Sequence, residues 1–276
     1  VDGRVNRNTT RELTFGYSPC PNDTFAFHAL THGLIDAPFT IKPVLLDIEE
    51  LNRRAHEGAF DLTKLSVGAF AAVGDRYRLL RSGAALGKGV GPLVVARAPM
   101  SLEEAIAGGT MAIPGRETTA YRLLRLAAPQ LTNTIELRYD RVLRAVADGD
   151  VHAGLIIHES RFTYADHGLH KVIDLGDWWE HETQLPVPLA GICARADLDP
   201  ALASAAEQAI RASVQYAFDH PEASREYVRA HAQEMSPDVC AQHIALYVNE
   251  HSLDIGTEGL AAIDRLVAVD RPASVA

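Results

Sequence analysis

The sequence predicts an α/β protein of two lobes, the second inserted into the first, with a helical C-terminal tail. Three observations carry that expectation. Residues 13–65 alternate short apolar runs with helix-period segments in a β-α-β-α-β order, which calls for a parallel sheet with crossover helices. Residues 101–157 repeat such an alternation after Pro99, and beyond Arg195 the pattern is helical only. A length of 276 residues suits one large or two modest domains, and 47% apolar with 22% charged residues is a globular composition.

The strand over 13–17 breaks at Ser18-Pro19-Cys20-Pro21, and Asn22 or Asp23 is expected to cap a helix reaching His32 before Gly33. A strand over 39–46 follows. Asp47 then caps a helix with Ile48, Leu51 and Ala55 on one face, and 61–65 is a third strand. The second series reads as a capped helix over 101–108, a strand over 110–114, a helix over 118–128, a strand over 135–139, a helix over 141–148 and a strand over 151–157. The apolar runs 93–96 and 189–193 bracket this series and are the candidate crossings between lobes. Asp199-Pro200 starts a long helix with Leu202, Ala206, Ala209, Ile210, Val214 and Ala217 on one stripe, and further helices are expected over 222–231, 236–250 and 257–267. The expected division is therefore 12–97 plus 195–276 in the first lobe and 98–194 in the second. Ligands of open α/β sheets sit outside the carboxyl ends of strands, so a site belongs at the loops after Tyr17, Leu65, Pro114 and Ile157.

Twenty-six basic against 36 acidic residues give a net charge of −10, a field that repels phosphate backbones and argues against nucleic-acid partners. An anionic small molecule stays compatible, because local amides and a few cations override the net sign. No apolar run approaches the roughly 18 residues of a membrane helix. The opening residues 1–11 are polar and lack the apolar segment of a secretory signal. Cys20, Cys193 and Cys240 are odd in number and without CxxC spacing, which speaks against a disulfide framework or zinc knuckle and for a reducing, cytoplasmic compartment.

Four segments could carry chemistry. The turn Ser18-Pro19-Cys20-Pro21-Asn22-Asp23-Thr24-Phe25 is stiffened by two prolines, and amides at a helix start favour an anion or carbonyl oxygen there; the ordinary alternative is a capped turn. Ser18 and Asn22 are its candidate substrate contacts, whereas Cys20 has no adjacent base. Thr118 and Thr119 stand where a strand passes into a helix, a setting that suits a carboxylate; capping alone accounts for one of the two. Alternation puts Lys64 and Ser66 on one side of their strand, facing the presumed cleft opposite the threonines, although a strand-end lysine is often simply solvated. His158 ends an apolar strand and can take or give a proton near neutrality; a strand-end histidine is more often a packing residue. In an extended chain Glu159 would point to the other face, so a partner for His158 is expected from elsewhere. Weaker signals are set aside. His28 and His32 have helical spacing without an HExxH pattern, the loop 87–92 matches neither phosphate-loop pattern, and Trp178 and Trp179 suit packing between lobes.

These segments, with Asp47-Ile48-Glu49-Glu50-Leu51-Asn52, Asp61-Leu62-Thr63-Lys64-Leu65-Ser66, Ser82-Gly83-Ala84-Ala85-Leu86-Gly87, Ile113-Pro114-Gly115-Arg116-Glu117-Thr118-Thr119-Ala120-Tyr121, His158-Glu159-Ser160-Arg161-Phe162-Thr163-Tyr164 and Asp174-Leu175-Gly176-Asp177-Trp178-Trp179-Glu180, together resemble the 1,4-dihydroxy-6-naphthoate synthase family of the futalosine route to menaquinone. The likeness covers most of the chain, and its specificity lies in the ordered set. The resemblance implies a periplasmic-binding-protein-like (type II) fold with two crossover segments and a helical C-terminal tail. It also implies cleavage of cyclic dehypoxanthine futalosine to 1,4-dihydroxy-6-naphthoate, a carbon–carbon lyase reaction without metal or organic cofactor. His158 takes the place of the family's proton acceptor, and Lys64, Leu65, Ser66, Thr118 and Thr119 match its substrate-binding positions. Two other readings stand beside it. Chorismate dehydratase of the same pathway resembles this fold but is not associated with the paired SPCPNDTF and GLIIHE motifs. A transporter's solute-binding protein would require export and has no use for a base at the cleft.

Overall fold

The computed structural model describes residues 11–233 and 236–268; the opening residues 1–10 and the final stretch 269–276 of the expected first lobe lie outside it. The first run of elements is β1 (Arg11–Tyr17), α1 (Pro21–Thr31), β2 (Phe39–Leu45), α2 (Ile48–Ala55), β3 (Leu62–Ser66), α3 (Val67–Val73), β4 (Tyr77–Leu79) and β5 (Ala85–Gly87). The second is β6 (Leu93–Ala96), α4 (Leu102–Ala107), β7 (Met111–Ile113), α5 (Thr119–Ala127), β8 (Thr134–Glu136), α6 (Tyr139–Asp148), β9 (Ala153–Ile156), α7 (Ser160–Thr163), β10 (His170–Asp174) and α8 (Leu175–Thr183). β11 (Val187–Arg195) leads into α9 (Pro200–Asp219), α10 (Arg225–His231), α11 (Pro237–Tyr247), α12 (Glu250–Leu253) and α13 (Gly256–Ala268).

Among the described residues the strands form two sheets. The first has the order β2-β1-β3-β11-β4 with β5 also paired to β11; β1, β2 and β3 are parallel, and β11 runs against β3. The second has the order β10-β6-β9-β7-β8, parallel from β9 to β8, with β6 antiparallel to both of its neighbours. Strand membership departs from the expected boundaries at both ends of the second series. β6, expected within 12–97, bonds to β9 and β10 of the second sheet, and residues 187–194 of β11, expected within 98–194, bond to β3, β4 and β5 of the first. Apolar composition dictates that a strand is buried on both faces but not which neighbours it hydrogen-bonds to. The passages between sheets therefore run through residues 88–92 and 175–186, the second containing α8.

Local chemistry sets most helix starts. The Asp47 side chain accepts from the Glu49 and Glu50 amides, and Asp199, ahead of Pro200, accepts from Ala201 and Leu202. At α1 the expected cap is corrected. Pro21, with its preset φ, takes the first helical position and Cys20 the cap, so Asn22 and Asp23 fall inside the first turn with both side chains buried. In the core, α9 packs on α1 and buries its alanine-rich stripe against Leu13, Phe15 and Ile192 of the first sheet. α13 packs on α3 and β11, and Arg122 of α5 donates to its Leu266 carbonyl. Trp179 is buried and donates to the Pro186 carbonyl at 3.0 Å, a packing role. No helix among the described residues is long and apolar enough to cross a membrane.

Candidate active site

The carboxyl ends of β3 and β9 and the start of α5 converge on a cavity of about 550 Å³ including its mouth. Asn22, Lys64, Ser66, Thr118, Thr119, His158 and Tyr247 are its polar lining, with Ile48, Leu189, Ala190 and neighbours supplying apolar wall. Of the sequence candidates, Ser18 and Leu65 lie outside this lining. Leu65 turns into the core with Tyr77 and Cys193, as the period of a strand requires when Lys64 and Ser66 face the cavity.

Lys64 and Asp23 form a buried ion pair at 2.5 Å, their side chains 4% and 3% exposed. A buried charge pair is tolerated only when its remaining valences are satisfied, and on the Asp23 side they are. Ser18 donates to Asp23 Oδ2 from both its amide (3.0 Å) and its hydroxyl (2.7 Å), and Asn22 Nδ2 donates to Oδ1 at 2.8 Å. Ser18 thus supports Asp23 rather than reaching the cavity. Asn52 of α2 clamps Ser66 twice at 3.0 Å, through its amide to the hydroxyl and its carbonyl to the main-chain N–H. Asn22 also meets His243 of α11, whose Nε2 lies 2.9 Å from its Oδ1.

His158 sits just past β9, which ends at Ile156, and adopts φ +56, a left-handed conformation uncommon outside glycine. The turn replaces the expected extended chain, so alternation does not place Glu159, which is buried directly before α7. The His158 Nε2 is buried with no hydrogen-bond partner. Tyr139 meets the ring edge-on with centroids 4.9 Å apart, and His243 stacks beyond it at 6.0 Å. Burial, reinforced by the Lys64 ammonium, pushes His158 down to about 3, so the imidazole is neutral and has a free lone pair at physiological pH. Burial also pushes the Cys20 thiol up, which removes it as a nucleophile.

The two threonine hydroxyls are already engaged. Thr118 donates to the Gly115 carbonyl at 2.8 Å and caps α5 by accepting from Tyr121 N, while Thr119 donates to the Leu189 carbonyl at 2.6 Å and accepts from Gly68 N. Thr119 therefore ties α5 to both α3 and β11, across the two sheets. The same junction is closed by Glu49 of α2, whose carboxylate accepts the Glu117 amide at 3.3 Å, and by Arg53 against Glu136 at 3.2 Å. Gly115, at φ +152, leaves room for that contact; a Cβ there would lie 2.2 Å from the Glu49 carboxyl carbon. What the α5 start offers a ligand is its first amides, N–H groups that the Thr118 cap leaves unfilled. Sequence patterns did not reveal Asp23, Tyr139, His243 or Tyr247 as members of the site.

A family model described as menaquinone biosynthesis matches residues 13–271. The chain belongs to this menaquinone-biosynthesis family. Two relatives named 1,4-dihydroxy-6-naphthoate synthase align over nearly the whole chain. The Thermus thermophilus protein is 56% identical over 93% of each chain, and the Streptomyces coelicolor protein is 46% identical over 92% of this chain and 91% of its own. The chain is an enzyme of that type. Among solved structures, an Archaeoglobus fulgidus protein superposes with a TM-score of 0.88 at 36% identity, covering 94% of this chain and 97% of that one. A ligand-binding component of an ABC-type import system from Staphylococcus aureus superposes with a TM-score of 0.69 at 17% identity, covering 94% and 91%. A Candida albicans protein described as having the generic periplasmic binding protein fold superposes with a TM-score of 0.68 at 14% identity, covering 94% and 89%, so the fold of this chain is periplasmic-binding-protein-like, with a helical C-terminus.

Proposed function

We propose that this enzyme cleaves cyclic dehypoxanthine futalosine to 1,4-dihydroxy-6-naphthoate, with His158 as general base in a cleft between two lobes, 12–97 plus 195–276 and 98–194, adjusted to the strand pairing. The observation that carries the reading is the buried, unpartnered Nε2 of a neutral imidazole in the cavity lining, opposite a helix start. A binding protein gains nothing from such a group, whereas a base needs its lone pair free.

The product's carboxylate marks the substrate as an anion. Its carboxylate sits against the first amides of α5 and near Lys64. Thr118 and Thr119, whose hydrogens are already given to carbonyls, hold that turn in shape. Burial, and to a lesser degree Lys64, keeps His158 a weak base, and the substrate's carboxylate offsets the Lys64 part of that depression. His158 then takes the proton of a sugar-derived hydroxyl. The O–H electrons form a carbonyl as the adjacent carbon–carbon bond breaks, and that bond's pair enters the ring system, which becomes aromatic after proton return. Cys20 and Cys193 are buried thiols outside any disulfide, which suits a reducing cytoplasm; the net charge of −10 disfavours nucleic acid and anionic membrane surfaces, while the α5 amides and Lys64 supply the local positive field that a small anionic substrate needs.

Incubation with cyclic dehypoxanthine futalosine and mass analysis of products tests the reaction. His158→Asn should lose roughly 10²–10⁴ in turnover while still binding substrate. A folded variant with near-wild-type turnover dismisses His158 as the base, and an inactive wild type returns the solute-binding reading.

A further inference from the structure

Helix α11 delivers two buried side chains to the site, Tyr247 in the cavity lining and, behind it, His243, which the chemistry above does not use. His243 is 0% exposed, its Nε2 lies 2.9 Å from Asn22 Oδ1, and its ring is packed between His158 (6.0 Å), Tyr247 (4.6 Å) and Phe162 (6.4 Å). The donors run one way along this network. The Lys64 ammonium can only donate, and Asp23 Oδ1 accepts from it; Asn22 approaches the same oxygen at 2.8 Å and must therefore present its amide nitrogen. That orientation turns the Asn22 carbonyl oxygen toward His243. An oxygen there accepts only if His243 carries its hydrogen on Nε2, so the tautomer is set by a lysine three links away.

We infer that His243 is a positioning residue of this site: it anchors the Asn22 carboxamide and, through it, the Asp23–Lys64 pair that stands beside His158 in the cavity. The inference rests on the reading of this cavity as the active site. Removing the N–H leaves Asn22 Oδ1 as a buried acceptor without a donor, and the carboxamide turns to find one. Asp23 then loses a donor on the oxygen it shares with Lys64, and the ammonium is no longer held in one place relative to substrate. The unpartnered Nδ1 takes no part in this chain.

Glutamine places an N–H close to where the histidine Nε2 stands but cannot act as an imidazole, so His243→Gln and His243→Phe separate anchoring from everything else the ring does. Imidazole ¹⁵N spectra of the wild-type protein should show His243 as the neutral Nε2–H tautomer from pH 5 to pH 8. Against cyclic dehypoxanthine futalosine, His243→Phe should lose at least about tenfold in kcat/KM, and His243→Gln should recover most of that loss. An Nδ1–H or charged His243 overturns the inference, as does a folded His243→Phe within about threefold of wild type or a His243→Gln as impaired as the phenylalanine variant. Should the phenylalanine variant not fold, the wild-type tautomer and His243→Gln decide: a folded glutamine variant impaired more than about tenfold overturns the inference. A wild type that leaves this substrate untouched while showing the Nε2–H tautomer refutes the reaction and leaves the hydrogen-bond network standing.

Discussion

His158 should make the folded protein sensitive to mild acid, and replacing it should remove that sensitivity. In the unfolded chain the imidazole takes up a proton near its ordinary pKa of 6.5, whereas in the folded protein burial beside Lys64 holds protonation off until about 3. Between those values the unfolded state binds more protons, so stability contributed above pH 6.5 is lost as pH falls. Integrated from pH 7 to pH 5, the loss from this one group is about 2 kcal/mol, a sizeable part of the roughly 5–15 kcal/mol that holds a typical domain folded. His158→Asn abolishes the titration, and asparagine is the side chain that best tolerates the φ of +56 at this position. Urea unfolding of both proteins at pH 7 and pH 5 gives the comparison: the variant's acid-induced loss should be smaller by about 2 kcal/mol. Equal losses, within about 0.5 kcal/mol, would mean that His158 titrates alike in folded and unfolded protein and would refute the burial on which its role as base depends. The same depression predicts that kcat/KM stays level as pH drops through 6.5 and declines only at lower pH.

Lys64→Met and Asp23→Asn each leave half of a buried ion pair and should each destabilise by about 3–5 kcal/mol, while the double variant loses less than the sum by at least about 2 kcal/mol; additive losses in urea titrations would refute the coupling. Thr118→Val removes the α5 cap at a cost of about 1 kcal/mol. Combined with Thr119→Val, it should raise KM by more than it lowers kcat, because the α5 amides bind ground and transition state alike; an unchanged KM in steady-state kinetics counts against carboxylate binding there.

Features with local causes were legible in the sequence. Strand period alone puts Lys64 and Ser66 on the cavity side of β3 and Leu65 in the core, because successive side chains must alternate. Asp47 and Asp199 cap their helices because a short acceptor before a helix start fills its open amides, and Pro200 presets the first turn of α9; at α1 the same proline chemistry, at Pro21, starts the helix ahead of the expected cap at Asn22 or Asp23. The pairing of segments was beyond its reach. β6 and the run 189–193 of β11 both read as buried strands, and only the hydrogen-bond ladders of the folded chain assign one to each sheet. The left-handed turn at His158 is a tertiary result too, since no glycine marks it. His243 is the clearest case: it stands 221 residues from Asn22, in a helix with no motif of its own, and joins the site only when α11 packs on α1. A side chain's chemistry is written in the sequence, but its partners, its tautomer and the depth of its burial are set by which distant surfaces the fold brings together.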